Sequence, residues 1–358
     1  MGHFHAQEMR VGFYTCGNNL LGLGHVYRCV RLAKALEWAW PGAQIRFEAK
    51  VFPEGLAVIR DYYPSAINPL PGDSLPGGPW EVLVVDQLSV PVDALRNLKS
   101  HCKLLVVFDD TGPGHFAADL GINALYQCRI PRPADSSTRT LSGVEYLVID
   151  PGFSAQSYRV REPVQHVLLT QGGADTYGLI PQIALALRSW MEHNTEVTLH
   201  ILIGRAFAHH QELESAIAAM PGRVEAHCGI ANLAEFFSQM DLAISAAGVT
   251  ACELVCLGVP TILITGEEKE LETSDLLGSR RCVVNLGIFN EQSRSELPSV
   301  MTRMLPCSER QGFSARAREA IDGKGLSRCV SEIVNATRPI RTSQSWLAGQ
   351  SVSRDQAS

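Results

Sequence analysis

The feature that most constrains the fold is a series of unbroken apolar runs, each closed by aspartate, glycine or small residues. Val82-Leu83-Val84-Val85 runs into Asp86, and Leu104-Leu105-Val106-Val107-Phe108 runs into Asp109-Asp110. A strand with one wet face alternates apolar and polar side chains, whereas a strand covered on both faces does not. Runs of this kind, separated by helical stretches, predict parallel sheets with helical crossovers. Val11–Tyr14, Ile45–Ala49, Leu120–Asn123 and Tyr146–Ile149 complete the strand set expected in the first half.

The same grammar restarts after Pro163. Strands are expected at Val167–Thr170, Thr198–Ile203, Val224–His227, Leu242–Ser245 and Pro260–Ile264, with helices near Ile180–Met191 and Thr250–Leu257. The segment from Pro151-Gly152 to Pro163 has the composition of a linker. The reading is α/β: two Rossmann-like, doubly wound parallel-sheet domains, residues 1–155 and 156–337, with a cleft between them. The Ser/Gln/Arg-rich tail, 338–358, is expected to be disordered.

Composition excludes several classes of function. Hydrophobic residues make up 46% and charged residues 19% of the 358, a globular balance. A net charge of −6 without a basic block argues against a nucleic-acid partner. No apolar run is long enough to span a bilayer, so no transmembrane segment is expected. The polar start, Met1–Arg10, lacks a signal-peptide core, which points to the cytosol. The ten cysteines include no Cys-x-x-Cys pair, and the eleven histidines are dispersed, so no structural metal and no cofactor is expected.

Two glycine turns carry the chemistry. Gly22-Leu23-Gly24-His25 lies where the first strand gives way to a helix with Val26, Cys29, Val30, Ala33 and Leu36 at helical spacing. Glycine lets a ligand approach the backbone, and the free N–H groups of a helix start attract anions. An imidazole there is suited to general-base work. A glycine turn with a surface histidine is the plain alternative. The second turn is Ser245-Ala246-Ala247-Gly248-Val249-Thr250, followed by Glu253. Small residues clear space for a diphosphate, and Glu253 is placed to accept from a ribose diol. Its alternative is a ligand-free capping box, Thr250-x-x-Glu253. Gly172-Gly173, after another strand, adds a third open turn.

Other candidates follow, most with two readings. Arg28 pairs with a phosphate or with a neighbouring carboxylate. Asp86 is at a strand end, where parallel sheets bind ligands. Asp109-Asp110 contacts a cation or an acceptor, or caps a helix. Glu267-Glu268-Lys269-Glu270 is a solvated charge run, or a place where Glu267 or Glu268 touches substrate.

Taken together, Gly22-x-Gly24-His25-x-x-Arg28-Cys29, Val84-Val85-Asp86, Phe108-Asp109-Asp110, Gly172-Gly173-Ala174-Asp175 and Ser245-Ala246-Ala247-Gly248-x-Thr250-x-x-Glu253-x-x-x-x-Gly258-Val259-Pro260 resemble, in order, the UDP-sugar hydrolases of pseudaminic acid biosynthesis and the SpsG-type spore-coat proteins. The second half also resembles the MurG-like glycosyltransferases. The resemblance runs from Val11 to Val334 and implies a GT-B architecture, with UDP held mainly by the C-terminal domain. It implies His25 as catalytic base and Gly24 against the diphosphate. It places Gly172, Gly173, Ala247, Gly248 and Thr250 on the phosphate side, Glu253 on the ribose and Ile230 by the uracil. The chain departs from the family at Leu88, where a tyrosine is usual, at Gly266–Lys269, where an Asn-Gln pair is common, and around Asp150, where an arginine is usual. These positions face sugar and acceptor.

The leading expectation is therefore a metal-independent, UDP-sugar-dependent glycosyltransferase. Its partners would be a UDP-sugar donor and a small-molecule or glycan acceptor. The alternatives are a UDP-sugar hydrolase, with water in place of the acceptor, and a non-catalytic nucleotide-sugar-binding protein.

Overall fold

The computed structural model describes residues 9–18, 22–50, 52–87, 89–126 and 128–337. Leu88 and the 338–358 tail lie outside them. Among the described residues, thirteen strands form two sheets. In the first, β1 (Arg10–Thr15), β2 (Gln44–Lys50), β3 (Ile67–Leu70), β4 (Trp80–Asp86), β5 (Cys102–Phe108), β6 (Leu120–Asn123) and β7 (Arg139–Ser142) lie in the order β3-β2-β1-β4-β5-β6-β7. The second holds β8 (His166–Thr170), β9 (Thr198–Leu202), β10 (Arg223–His227), β11 (Leu242–Ser245), β12 (Thr261–Thr265) and β13 (Val284–Ile288), in the order β10-β9-β8-β11-β12-β13. Every pairing between these strands is parallel.

The apolar runs explain the layering. Val82 to Val85 and Leu104 to Phe108 are all buried, as are Leu242 to Ile244 and Ile262 to Ile264. Their side chains on both faces feed separate apolar clusters, with Val82, Val84 and Val106 in one and Leu83, Val85 and Leu105 in another.

One expected strand is not a strand. Val144–Tyr146 is a short 3-10 turn, entered through Gly143 at φ 119°, and the seventh strand is Arg139–Ser142 instead. Leu147, Val148 and Ile149 are apolar because they are wedged between two cores, not because they pair. Val148 packs into the core of the first sheet, and Leu147 and Ile149 into a core shared with the second. Strands β3 and β13 carry little apolar patterning (Ile-Asn-Pro-Leu and Val-Asn-Leu-Gly-Ile) and stand at sheet edges, which hid them from a pattern reading.

The last described helix, Gly325–Ala336, returns to the first sheet. Leu326, Cys329 and Ile333 enter the core around helix Gly24–Ala39. Arg139 pairs with Glu332 at 2.6 Å. A Cβ at Gly325 would lie 2.1 Å from the carbonyl oxygen of Leu147, so only glycine permits this approach. Among the described residues, no helix is long and apolar enough to cross a membrane.

Candidate functional site

Both sheets reverse strand order at their centre, β1 beside β4 and β8 beside β11. Ligands in open parallel sheets bind outside the carboxyl ends of the strands at such switch points. The chain puts its glycine turns there. Gly22–His25 follows β1, Gly172-Gly173 follows β8, and Ala246–Gly248 follows β11. Gly22, at φ 77°, bridges back to Asn18 and needs glycine for that backbone.

The two switch points face each other. A Cβ at Gly24 would lie 3.7 Å from Val249 Cγ2, and one at Gly173 would lie 3.7 Å from Leu23 Cβ. Helices Gly24–Ala39 and Val249–Leu257 both begin here, and neither start receives a side-chain cap. Gly248 is the N-cap of the second helix, so Thr250 is a helical residue and no capping box forms. Gly248, Val249 and Thr250 are half-buried, and their surroundings leave room beside Gly248 and Gly172. Ala247 turns its methyl into the core and offers only backbone.

His25 stands on the first turn of its helix, directly above the end of β4. Its Nδ1 lies 2.6 Å from Oδ1 of Asp86, and its side chain is 11% exposed. With Nδ1 held, Nε2 remains as the ring's acceptor in the tautomer this pairing favours. Asp86 is fully buried. Arg28, one turn further along, donates from Nε to Asp86 Oδ2 and from Nη2 to Oδ1, both at 2.6 Å. Its Nη1 donates to Oδ2 of Asp109. Burial alone would raise the Asp86 pKa, but Arg28 and then His25 outweigh it and hold it at about 2. Burial disfavours the Arg28 charge, yet Asp86 and Asp109 lift its pKa well above the usual range. Arg28 therefore takes the carboxylate alternative. Asp109, at φ 46°, is fixed from its other oxygen by the N–H groups of Ala124 and Leu125 at 2.8 and 3.1 Å.

Asp110 stands outside that hydrogen-bond network. It is buried, and its Oδ1 accepts from Gly112 N–H at 2.8 Å, while its Oδ2 has no hydrogen-bond partner within 3.5 Å among the described residues. Burial raises its pKa to about 6, against the pull of nearby backbone N–H groups.

Glu253 is 3% exposed and faces the first sheet, not open space. Its Oε1 accepts from Arg31 Nη2 at 2.6 Å. Burial raises its pKa, with Arg31 opposing. Arg205 pairs with Asp61, and Arg129 with Glu272 at 3.4 Å, so further ion pairs join the two halves. Glu267 is held by Lys269 at 2.7 Å and by the Tyr177 hydroxyl at 3.1 Å, while Glu268 is exposed. Ile230 is half-buried against the second core.

Arg31 and Tyr126 were not singled out by sequence reasoning, and Asp109, singled out there for a cation, an acceptor or a helix cap, instead holds Arg28. Tyr126 packs against the core shared by the two halves, and burial, then the carboxylates of Asp109 and Glu270, push its phenol well above its usual pKa. Arg31 follows Arg28 by less than one helical turn, and that spacing was the available signal. Tyr126 gave none, because it lies in a loop.

No family model matches the chain. The spore coat polysaccharide biosynthesis protein SpsG of Bacillus subtilis (strain 168) is 25% identical over 338 residues, 89% of this chain and 96% of that protein. The crystal structure of MurG from Acinetobacter baumannii superposes with a TM-score of 0.61 at 15% identity, over 91% of this chain and 99% of that one. The spinosyn rhamnosyltransferase SpnG, solved with spinosyn aglycone, gives a TM-score of 0.58 at 15% identity, over 90% and 100%. SpnG has also been solved with thymidine diphosphate. The chain is thus similar to SpsG along nearly its whole length and has the two-sheet GT-B fold of these glycosyltransferases.

Proposed function

We propose that the chain is a glycosyltransferase that takes a UDP-sugar and transfers the sugar to a hydroxyl acceptor. The observation that carries this is the pairing of His25 Nδ1 with Asp86 Oδ1 at one switch point, opposite the glycine turns of the other. Asp86 keeps the proton on Nδ1. Nε2 then removes the acceptor's proton, the acceptor oxygen attacks the anomeric carbon, and the bond from that carbon to the diphosphate breaks.

The departing diphosphate is received by the uncapped helix starts at Gly24 and Val249, by the Gly172-Gly173 turn and by the Thr250 hydroxyl, without an obligatory metal. The ribose diol displaces Arg31 from Glu253, and Ile230 rests against the base. The acceptor and sugar side comprises Asp110, Glu267 and Glu268, and the reaction belongs to the cytosol. The two α/β units divide at residues 155–156. Two likenesses support the reading: SpsG by its role in polysaccharide biosynthesis, and SpnG by its nucleotide and its acceptor.

The deciding experiment is incubation with a panel of UDP-sugars, with and without candidate hydroxyl acceptors. Transfer that requires the acceptor supports the proposal. Rapid stoichiometric release of free sugar without one replaces it with the hydrolase reading. No turnover, with binding retained in His25→Ala, leaves a nucleotide-sugar-binding protein.

A further inference from the structure

Three histidines far apart in sequence meet on the second sheet, away from the His25 network. His166, His200 and His227 stand on β8, β9 and β10, which are adjacent. His166 Nδ1 lies 2.9 Å from His200 Nε2, and His200 Nδ1 lies 3.0 Å from His227 Nε2. Glu225, two residues before His227 and therefore on the same face of β10, brings Oε2 to 3.5 Å from His200 Nδ1 and 3.8 Å from His227 Nε2.

We propose that His200, Glu225 and His227 bind one divalent transition-metal ion, with zinc the simplest occupant. Four-coordinate zinc holds nitrogen and oxygen ligands at about 2.0–2.2 Å, and tetrahedral angles then set ligand atoms about 3.4 Å apart. The three donor separations, 3.0, 3.5 and 3.8 Å, straddle that value. Two imidazoles and one carboxylate form a donor set suited to zinc and its first-row neighbours, with a fourth position left for water.

The surroundings fit a ligand sphere. A metal-bound imidazole commonly hands its other nitrogen to a partner that fixes the ring. His166 is that partner for His200. Arg223 occupies the other oxygen of Glu225, at 2.8 Å from Nε and 2.6 Å from Nη2, which turns Oε2 toward the histidines. The Phe236 ring packs edge-on against His227 and His200 and closes the apolar side. His200 is buried while Glu225 and His227 are half-buried, so an ion enters from the solvent side of the edge strand. His227 ends β10, so the ion would clamp the start of the following loop to β9.

The test uses the full chain stripped with a chelator, then titrated with Co²⁺ and, by equilibrium dialysis, with Zn²⁺. The expected result is one ion per chain, tetrahedral-type d–d absorption and no thiolate charge-transfer band. Glu225→Gln and His227→Asn should each weaken binding by at least about tenfold. Zn²⁺ should raise the Tm of the parent protein and not of the variants, whose metal-free melts report that they fold. Three results overturn the proposal: no stoichiometric binding, unchanged affinity in both variants, or a thiolate-dominated cobalt spectrum that places the ion among the ten free cysteines. The first of these leaves a hydrogen-bonded histidine ladder.

Discussion

His25 Nδ1 and Asp86 Oδ1 lie 2.6 Å apart, and the same carboxylate takes two further hydrogen bonds from Arg28. The buried arginine thus fixes the group that orients the histidine. His25→Gln should lower kcat by roughly a hundredfold to ten-thousandfold while leaving donor KM and Tm near parent values. Steady-state kinetics beside a thermal melt checks this, and unchanged kcat would remove His25 from the chemistry.

Asp86→Asn should lose both activity and stability. It removes one partner of a buried ion pair, a change that costs about 3–5 kcal/mol. Denaturant titration should show that loss. The Arg28→Lys variant, which keeps the charge but not the two-pronged geometry, should fall between parent and Asp86→Asn.

Arg31 and Glu253 predict a competition. In the proposed reaction the ribose displaces Arg31, so Arg31→Ala should tighten UDP binding about fivefold, the equivalent of roughly 1 kcal/mol. Glu253→Ala should weaken it. Calorimetric titration of both variants separates this from a purely structural latch, which would leave UDP affinity unchanged in Arg31→Ala.

Asp110 gives a pH prediction. Its folded pKa, about 6, lies above the ordinary carboxylate value. The native state therefore binds the proton more tightly, and the stabilisation is complete below about pH 4 and lost as pH rises through 6. Asp110→Asn should narrow the difference in Tm between pH 5 and pH 8. A slope identical to that of the parent would show that Asp110 is not its source.

Gly325→Ala should destabilise the chain by about 1–3 kcal/mol, because the added Cβ meets the Leu147 carbonyl oxygen at 2.1 Å. Hydrogen exchange should show helix Gly325–Ala336 opening first.

Much of the architecture is readable from the sequence because burial on both faces writes itself as unbroken runs. Val82 to Val85 and Ile262 to Ile264 needed no alternation to be recognised as strands. Tyr146–Ile149 misled for the same reason, since a segment wedged between two cores is as apolar as a paired strand. In the site, the glycine turns are local and legible. The partners that finish it are not. Asp86 is 61 residues from His25, and Glu253 is 222 residues from Arg31. His200 and His227, 27 residues apart, look dispersed until parallel pairing brings their strands together.

The return of helix Gly325–Ala336 makes the backbone pass between the halves twice. The outward passage leaves through Leu147–Asp150, and the inward one arrives at Gly325, whose Cα lies against Leu147. A single passage would act as a universal joint. Two passages side by side are expected to resist twist of the halves more than one would. Any opening would then have to break the Arg205–Asp61 pair and the close approaches at Gly24 and Gly173 together.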